Sequence, residues 1–189
     1  QEIILGARIG DRFKGVFAAS CCYDEHGRAE WPATAVNYTS KTQYLFRINK
    51  GILDVTNDQD LNAFTPEYKR RVPFSNMIYV GDGLTDVPCM KMTKQKGGYS
   101  IAVHAPGETD VADGLLTQGR ADFAMEADYS AGSELEQVVT ELIRRIRATH
   151  DLSVRHARQV RRAYERLGEN MPLDIAMRGG LEEEDGTEA

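Results

Sequence analysis

The sequence predicts an α/β fold built around a parallel sheet. Four apolar residues in a row, at positions 77–80, indicate a strand that is buried on both faces, as strands of parallel sheets are. Residues 99–103 are predicted as the next strand and residues 122–125 as an edge strand. The 189 residues are enough for one core, and contents of 41% hydrophobic and 28% charged residues are ordinary for a globular domain.

The N-terminal part of the chain predicts a strand, a hairpin and a helix. Residues 15–19 are predicted as a strand, and residues 21–32 as a β-hairpin whose turn lies at residues 24–27. The helix is predicted to begin with Thr39 or Ser40 as its N-cap and to end at Gly51. Apolar residues recur along it at helical spacing: Leu45, Ile48 and Ile52.

Lys41 is predicted to lie in the first turn of this helix, at the positive end of the helix dipole. That placement costs about 0.5 kcal/mol of helix stability. Two explanations stay open. A surface lysine costs little, so Lys41 needs no function. Alternatively, Lys41 offsets a cluster of carboxylates and holds a phosphate oxygen.

A turn with two carboxylates follows the strand at residues 77–80. Gly81 and Gly83 flank Asp82, so a tight turn is expected there, and Thr85 is expected to cap the next helix with Asp86 in its first turn. Ligands of open α/β sheets bind at such junctions. Two adjacent carboxylates repel each other unless a cation lies beside them, and hard oxygen ligands suit Mg²⁺. The alternative is that both aspartates only cap the turn and the helix.

The C-terminal part is predicted to be largely helical. Residues 108–118 form a surface helix, and Ser133 with Glu136 forms a capping box that starts a helix packed on the sheet. A separate helix is predicted to end near Gly168, and its arginines indicate a solvated face or a surface for an anionic partner. The predicted organisation is a core at residues 1–148, a helical extension at residues 149–178 and a disordered acidic tail at residues 179–189.

Composition argues against several functional classes. The net charge of −6 gives no reason to expect nucleic-acid binding, and no apolar run approaches the roughly 20 residues of a membrane span. Cys21, Cys22 and Cys89 lack zinc-site spacing and indicate free thiols in a reducing compartment, so a cytoplasmic location is expected. Residues 54–60 are acidic but lack the glycine and closing glutamate of a calcium loop, so a solvated connector is predicted.

Two segments resemble motifs of a known family. Residues 80–86, VGDGLTD, resemble the fourth motif of the haloacid dehalogenase-like (HAD) superfamily of phosphohydrolases, and residues 37–51 resemble the region of its third motif. The similarity covers residues 1–146 and is greatest to a phosphoserine-phosphatase-like group. By position, it implies that Asp82 ligates Mg²⁺ and that Asp86 ligates the ion or orients a bound water. It also implies that Lys41 bridges the nucleophilic carboxylate and the substrate phosphate, and that Gly83 contacts the substrate.

The chain departs from the family pattern at the first two motifs. The HAD nucleophile is the first Asp of an Asp-x-Asp-x-Thr motif, which does not occur in the 189 residues; Asp58 and Asp60 have the spacing but follow no apolar strand. The second motif is expected upstream of Gln1, as are strands 1 and 2 of the family's sheet order 3-2-1-4-5. The resemblance therefore implies an incomplete Rossmann-like core. The strand at residues 77–80 would then have an unpaired edge that favours self-association.

The function implied by the resemblance is that of a Mg²⁺-dependent phosphomonoesterase. It would act on a small phosphorylated metabolite through an aspartyl-phosphate. The chain by itself is expected to be inactive, because it has no nucleophile. A second hypothesis is a non-catalytic binding or regulatory remnant of the same fold. The absent nucleophile favours that hypothesis, whereas the presence of Lys41, Asp82 and Asp86 argues against it.

Overall fold

The chain has a mixed α/β fold and divides into two compact units, Gln1–Phe46 and Arg47–Ala189. The structure, a computed structural model, describes residues 2–7, 10–66, 69–172 and 175. Within those residues the first unit contains an antiparallel hairpin, and the second contains a parallel sheet of three strands.

The sheet of the second unit consists of β3 (Ile78–Gly81), β4 (Tyr99–His104) and β5 (Phe123–Glu126), in the order β3-β4-β5. Both pairings are parallel, with Gly81 opposite Ala102 and Val103 opposite Met125. These strands confirm the predictions at residues 77–80, 99–103 and 122–125 to within one residue. Their shared direction brings all three carboxyl ends to one edge of the sheet.

The central strand, rather than β3, is the one buried on both faces. On one face Ala102 joins a core cluster with α4 and α5, and on the other Ile101 and Val103 join a cluster with α6. In β3, by contrast, Val80 is 40% exposed. The prediction that β3 is buried on both faces is therefore correct only in part, because Ile78 and Tyr79 pack against the clusters of the two faces while Val80 is exposed. Among the described residues β3 pairs with β4 alone and lies at the sheet edge.

The helices of the second unit follow the strands in alternation. α4 (Val87–Gln95) connects β3 to β4, and α5 (Asp110–Thr117) connects β4 to β5. The first cluster consists of Met90, Ala102, Ala112, Leu115 and Ala121. The second consists of Ile101, Val103, Met125, Leu135 and Leu142. The surface helix predicted at residues 108–118 is thus confirmed as α5, whose buried side chains face β4 and β5.

The last helix, α6 (Glu134–Leu167), runs for 34 residues without a break. The prediction of a separate second helix from about residue 150 was therefore wrong. The predicted capping box is confirmed in its first half: Ser133 Oγ accepts a hydrogen bond from the Glu136 N–H (3.2 Å). Glu136 Oε2 reaches one residue further back than the box requires and accepts from the Gly132 N–H (2.5 Å) rather than from Ser133. Gly168, at φ +65°, ends the helix as predicted.

The tail at residues 179–189 lies outside the described residues. None of the described helices combines the length and apolarity needed to cross a membrane.

The first unit begins with α1 (Glu2–Leu5) and contains the hairpin of β1 (Ser20–Tyr23) and β2 (Ala29–Thr34). This hairpin confirms the one predicted at residues 21–32. Residues 15–19 form no strand, so that prediction was wrong: a strand requires a hydrogen-bonded neighbour, and within the described residues none pairs with this segment. The aromatic ring of Phe17 instead packs against Tyr44, with ring centroids 5.5 Å apart.

Helix α2 (Tyr38–Lys50) begins earlier than predicted, because Asn37 is its cap. Asn37 Oδ1 accepts hydrogen bonds from the N–H groups of Thr39 (3.1 Å) and Ser40 (3.0 Å). Ser40 Oγ in turn accepts one from the Asn37 N–H (2.8 Å), so Ser40 is the reciprocal partner and not the cap. Gly51, at φ +77°, follows the end of the helix as predicted.

The most buried side chains of α2 are polar. Arg47 is 1% exposed, and its guanidinium donates hydrogen bonds to the carbonyls of Asp54 (2.6 Å) and Val55 (2.9 Å) and to the carboxylate of Asp58 (2.6 Å). The acidic stretch at residues 54–60 exposes most of its side chains, as predicted. It is not a connector throughout, because a short helix, α3 (Asp58–Asn62), begins within it. Its backbone carbonyls, however, surround a buried cation that the sequence did not indicate. The predicted apolar stripe is only half-buried: Leu45, Ile48 and Ile52.

Candidate functional site

The candidate site is built on the turn that leaves β3. A single 3₁₀ turn, Leu84–Asp86, joins Gly83 to α4, and Asp86 occupies the N-cap position of that helix without a capping side-chain hydrogen bond. The prediction that Thr85 caps the helix was therefore wrong. Pro88 lies in the first helical turn, where its missing N–H costs nothing. The turn thus places two carboxylates at the end of a parallel strand, as predicted.

Asp82 is exposed and lines a cleft of about 620 Å³ at the carboxyl ends of the strands. The residue follows β3 directly, while His104 ends β4 and Ala127 follows β5, and both also line the cleft. The remaining wall comes from the end of β4, the loop after it and the start of α5: Val103, Ala105, Gly107, Glu108, Asp110, Val111 and Ala112. The cleft therefore lies where open α/β sheets bind their ligands.

Asp86 occupies a different environment from Asp82, although it belongs to the same turn. Its side chain is 3% exposed and does not line the cleft. The Tyr79 hydroxyl donates a hydrogen bond of 2.5 Å to Asp86 Oδ1. A buried carboxylate is costly unless donors or cations compensate it, and Tyr79 supplies such a donor.

Gly81 provides the space in which the Asp86 carboxyl group lies. A Cβ atom at position 81 would come within 2.7 Å of the Asp86 Cγ and 2.9 Å of its Oδ2. Real Cβ atoms do not approach other atoms so closely, so only glycine fits at this position. The backbone of β3 and the carboxyl group of Asp86 are therefore in direct contact, one residue before Asp82.

Gly83 does not have the role that its position beside Asp82 suggested. Its backbone is extended, at φ −156° and ψ 177°, a conformation that any residue adopts. An added Cβ would meet nothing within 4 Å. The expectation that both glycines are needed for a tight turn is thus correct for Gly81 and wrong for Gly83. The substrate contact implied for Gly83 stays a prediction, and this residue does not line the cleft.

Burial and a neighbouring carboxylate determine the protonation of the Tyr79 hydroxyl. Its side chain packs against the cluster of α4 and α5. Burial, followed by the hydrogen bond to the Asp86 carboxylate, raises the pKa of the Tyr79 hydroxyl far above its ordinary value. The group therefore stays protonated near neutral pH and acts as a hydrogen-bond donor to Asp86.

Lys41 lies in α2 in the first unit, where its side chain is half-buried and its N–H donates to the Asn37 carbonyl (3.0 Å). Asp82 and Asp86 belong to the second unit. The two predicted metal ligands, Asp82 and Asp86, thus lie on one turn of the second unit. Lys41 belongs to the first unit. The phosphate-binding role of Lys41 stays a prediction.

Three titratable residues of the cleft were missed by the sequence analysis: His104, Glu108 and Asp110. His104 lies two positions after Ala102, the residue of β4 that pairs with Gly81. A hydrogen bond of 2.8 Å joins its Nδ1 to the Ala105 carbonyl. With Nδ1 as the donor, the neutral ring keeps Nε2 as an acceptor. The signal was present, because a polar residue at the end of an apolar strand next to β3 must lie at the same edge.

The turn is chemically suited to a magnesium ion. Asp82 and Asp86 offer carboxylate oxygens, and Mg²⁺ is commonly held by one or two carboxylates, with water and phosphate oxygens completing its shell. Within the part of the chain that the structure describes, no three His, Cys, Asp or Glu side chains are grouped so that they could share a metal ion.

Comparison with known proteins relates the chain to an uncharacterized protein. The chain is 31% identical over 110 residues to an uncharacterized protein of Borreliella burgdorferi (strain ATCC 35210 / DSM 4680 / CIP 102532 / B31). The alignment covers 57% of this chain and 37% of that protein, so the chain spans well under half the length of this relative. No protein-family model and no solved structure matches the chain.

Proposed function

We propose that the chain is the metal-binding part of a Mg²⁺-dependent phosphohydrolase of the HAD type, which acts on a small phosphorylated metabolite. The observation that carries the proposal is the pair of carboxylates on the turn after β3. Asp82 lies in a cleft at the carboxyl ends of parallel strands, and Asp86 is buried behind it against Gly81. This arrangement supports metal-assisted chemistry better than a role in which both residues only cap a helix, because Asp82 lines the cleft and lies four residues before the N-cap position of α4.

In this proposal the residues of the chain hold the ion and the phosphate. Asp82 and Asp86 would bind Mg²⁺, which when bound neutralises phosphate charge and orients the substrate. Lys41 would contact a phosphate oxygen and stabilise the charge that develops on it. The volume of the cleft suits a small metabolite.

The nucleophile is proposed to come from outside the 189 residues, since they contain no Asp-x-Asp-x-Thr motif. Its carboxylate would attack phosphorus, form an aspartyl-phosphate and displace the alcohol of the ester. Water would then hydrolyse the aspartyl-phosphate, release inorganic phosphate and regenerate the carboxylate.

The proposal is tested by phosphatase assays on the natural protein that contains this chain, with p-nitrophenyl phosphate as substrate and Mg²⁺ present or removed by a chelator. Asp82→Asn should lower turnover on the order of 100-fold or more, because it removes a charged metal ligand. Asp113→Asn is the matched control, since Asp113 is exposed on α5 and does not line the cleft. Unchanged Mg²⁺-dependent turnover in Asp82→Asn would refute the assignment.

The same assay separates the proposal from a non-catalytic role. A natural protein that binds Mg²⁺ through Asp82 but hydrolyses no phosphomonoester would support a binding or regulatory function. The sequence observation that favours this second candidate is the missing nucleophile motif.

A further inference from the structure

The hydrogen bond between Tyr79 and Asp86 links the interior of the sheet to the proposed metal site. Tyr79 lies in the middle of β3, and its ring packs on the cluster of Met90, Ala102, Ala112, Leu115 and Ala121. Its hydroxyl reaches Asp86 Oδ1 at 2.5 Å. A ring held by this packing presents its hydroxyl at a fixed point.

The Asp86 carboxyl group is thus confined from two sides. Oδ1 is held by Tyr79, and the Cγ and Oδ2 lie against the bare backbone of Gly81. Side chains confined in this way keep one rotamer, and metal ligands bind best when neighbouring groups fix their orientation.

We infer that Tyr79 is a positioning residue for the metal site, whose hydroxyl orients the Asp86 carboxylate for divalent-cation binding. The inference rests on the proposed function, because it assumes that Asp82 and Asp86 bind a cation. It goes beyond that function by assigning a role to a residue that touches neither the cleft nor the substrate. The competing explanation is that Tyr79 only satisfies a buried carboxylate and contributes stability alone.

The test measures the affinity of the natural protein that contains this chain for Mn²⁺, used as the probe, by electron paramagnetic resonance of the free ion. Tyr79→Phe keeps the ring and removes the hydroxyl, and we expect it to weaken Mn²⁺ binding about 10- to 100-fold. Tyr99→Phe is the matched control. It deletes the same group from the first residue of β4, whose ring packs on the other core cluster, and should leave the affinity unchanged.

Asp86→Asn provides a second variant that keeps the size of the side chain and an acceptor for Tyr79. It should weaken binding at least as much as Tyr79→Phe, and the double variant should bind no more weakly than Asp86→Asn alone, because Tyr79 acts through Asp86. Urea unfolding of each variant without metal shows whether it is folded. If Tyr79→Phe does not fold, Asp86→Asn still decides: an unchanged affinity there overturns the inference.

The remaining outcomes distinguish the inference from the proposed function. Wild-type affinity in Tyr79→Phe, together with loss of binding in Asp82→Asn, would overturn the inference and leave the proposed function intact. A wild-type natural protein that binds no Mn²⁺, or binds it equally well after Asp82→Asn, would overturn both.

Discussion

At the scale of single residues, the two glycines beside Asp82 differ in whether a side chain could replace their hydrogen atom without a clash. Gly81 is buried, and its backbone contacts the carboxyl group of Asp86, whereas Gly83 has extended backbone and open space around it. In the sequence, Gly81 and Gly83 look equivalent because they flank the same aspartate. Only the close approach of the Asp86 side chain, five residues after Gly81, distinguishes the two glycines.

Gly81→Ala should therefore destabilise the chain by about 1–3 kcal/mol, because the new methyl group displaces Asp86 or the strand. Gly83→Ala should change the free energy of unfolding by no more than about 0.5 kcal/mol. Urea unfolding of both variants checks the difference. Equal stability of the two alanine variants would contradict the contact between Gly81 and Asp86.

The residues of the candidate site differ in how readily they can be predicted from the sequence. Asp82 and Asp86 were found because they stand in a short pattern after an apolar run. His104 could have been found by applying the same rule to β4. Tyr79 could not, because its partner becomes evident only when the turn carries Asp86 back against β3.

At the scale of elements, the end of α2 is fixed by a buried cation. Arg47 is 1% exposed, and most of its hydrogen bonds go to backbone carbonyls of residues 54–57. Its hydrogen-bonded carboxylate partner, Asp58, has a side chain that is 65% exposed. The loop, rather than the ion pair, is thus the main acceptor.

Arg47→Met should cost about 2–5 kcal/mol of stability, because it leaves several buried acceptors without a donor. Asp58→Asn should cost less than about 1 kcal/mol, because it removes only a largely exposed charge. Thermal or urea unfolding distinguishes these values. A loss in Asp58→Asn as large as that in Arg47→Met would show that the ion pair dominates.

The hairpin of the first unit should respond to acid through Asp24. The Arg28 N–H (2.7 Å), and further the Arg28 side chain and the His26 N–H, lower the pKa of Asp24 below its ordinary value of 3.8. A carboxyl group with a lowered folded pKa stabilises the fold above its unfolded pKa, and this stability is lost as the pH falls through the folded pKa.

Amide exchange of the β1–β2 turn should therefore accelerate, relative to its intrinsic rate, as the pH falls below about 4. Asp24→Asn keeps an acceptor oxygen for the two N–H groups but does not titrate, so its protection should be independent of pH in this range. Identical pH profiles for the two proteins would contradict this role of Asp24.

The elements themselves were predictable to different degrees, for physical reasons. The strands β3, β4 and β5 are short apolar runs, and burial decides their state locally. Residues 15–19 have a similar pattern, yet form no strand, because no neighbour pairs with them. The start of α2 was misplaced because Asn37, Thr39 and Ser40 all can cap, and only the observed hydrogen bonds choose among them.

At the scale of the whole molecule, we expect the open edge of the sheet to govern association in solution. Among the described residues, β3 pairs on one side only, and Val80 is 40% exposed on it. An apolar edge strand is a template for pairing with another chain.

We expect the 189-residue chain to self-associate as its concentration rises, and Val80→Lys to shift it toward the monomer, because a charge opposes edge-to-edge pairing. Sedimentation velocity over a concentration series measures both. Val111→Lys, which places a lysine at an exposed position on α5, is the control and should not alter association. A monomer at all concentrations would contradict the prediction.

The unbroken length of α6 has a mechanical consequence. Its first turns pack on the sheet through Leu135 and Leu142, and a short loop connects them to Ala127 in the wall of the cleft. From Leu142 to Leu167 a helix extends about 38 Å. A tilt of about 10° at the sheet would move the far end of such a rigid rod by roughly 6 Å. Any small tilt of α6 beside the cleft would therefore be magnified at the far end of the helix into a displacement as large as a side chain.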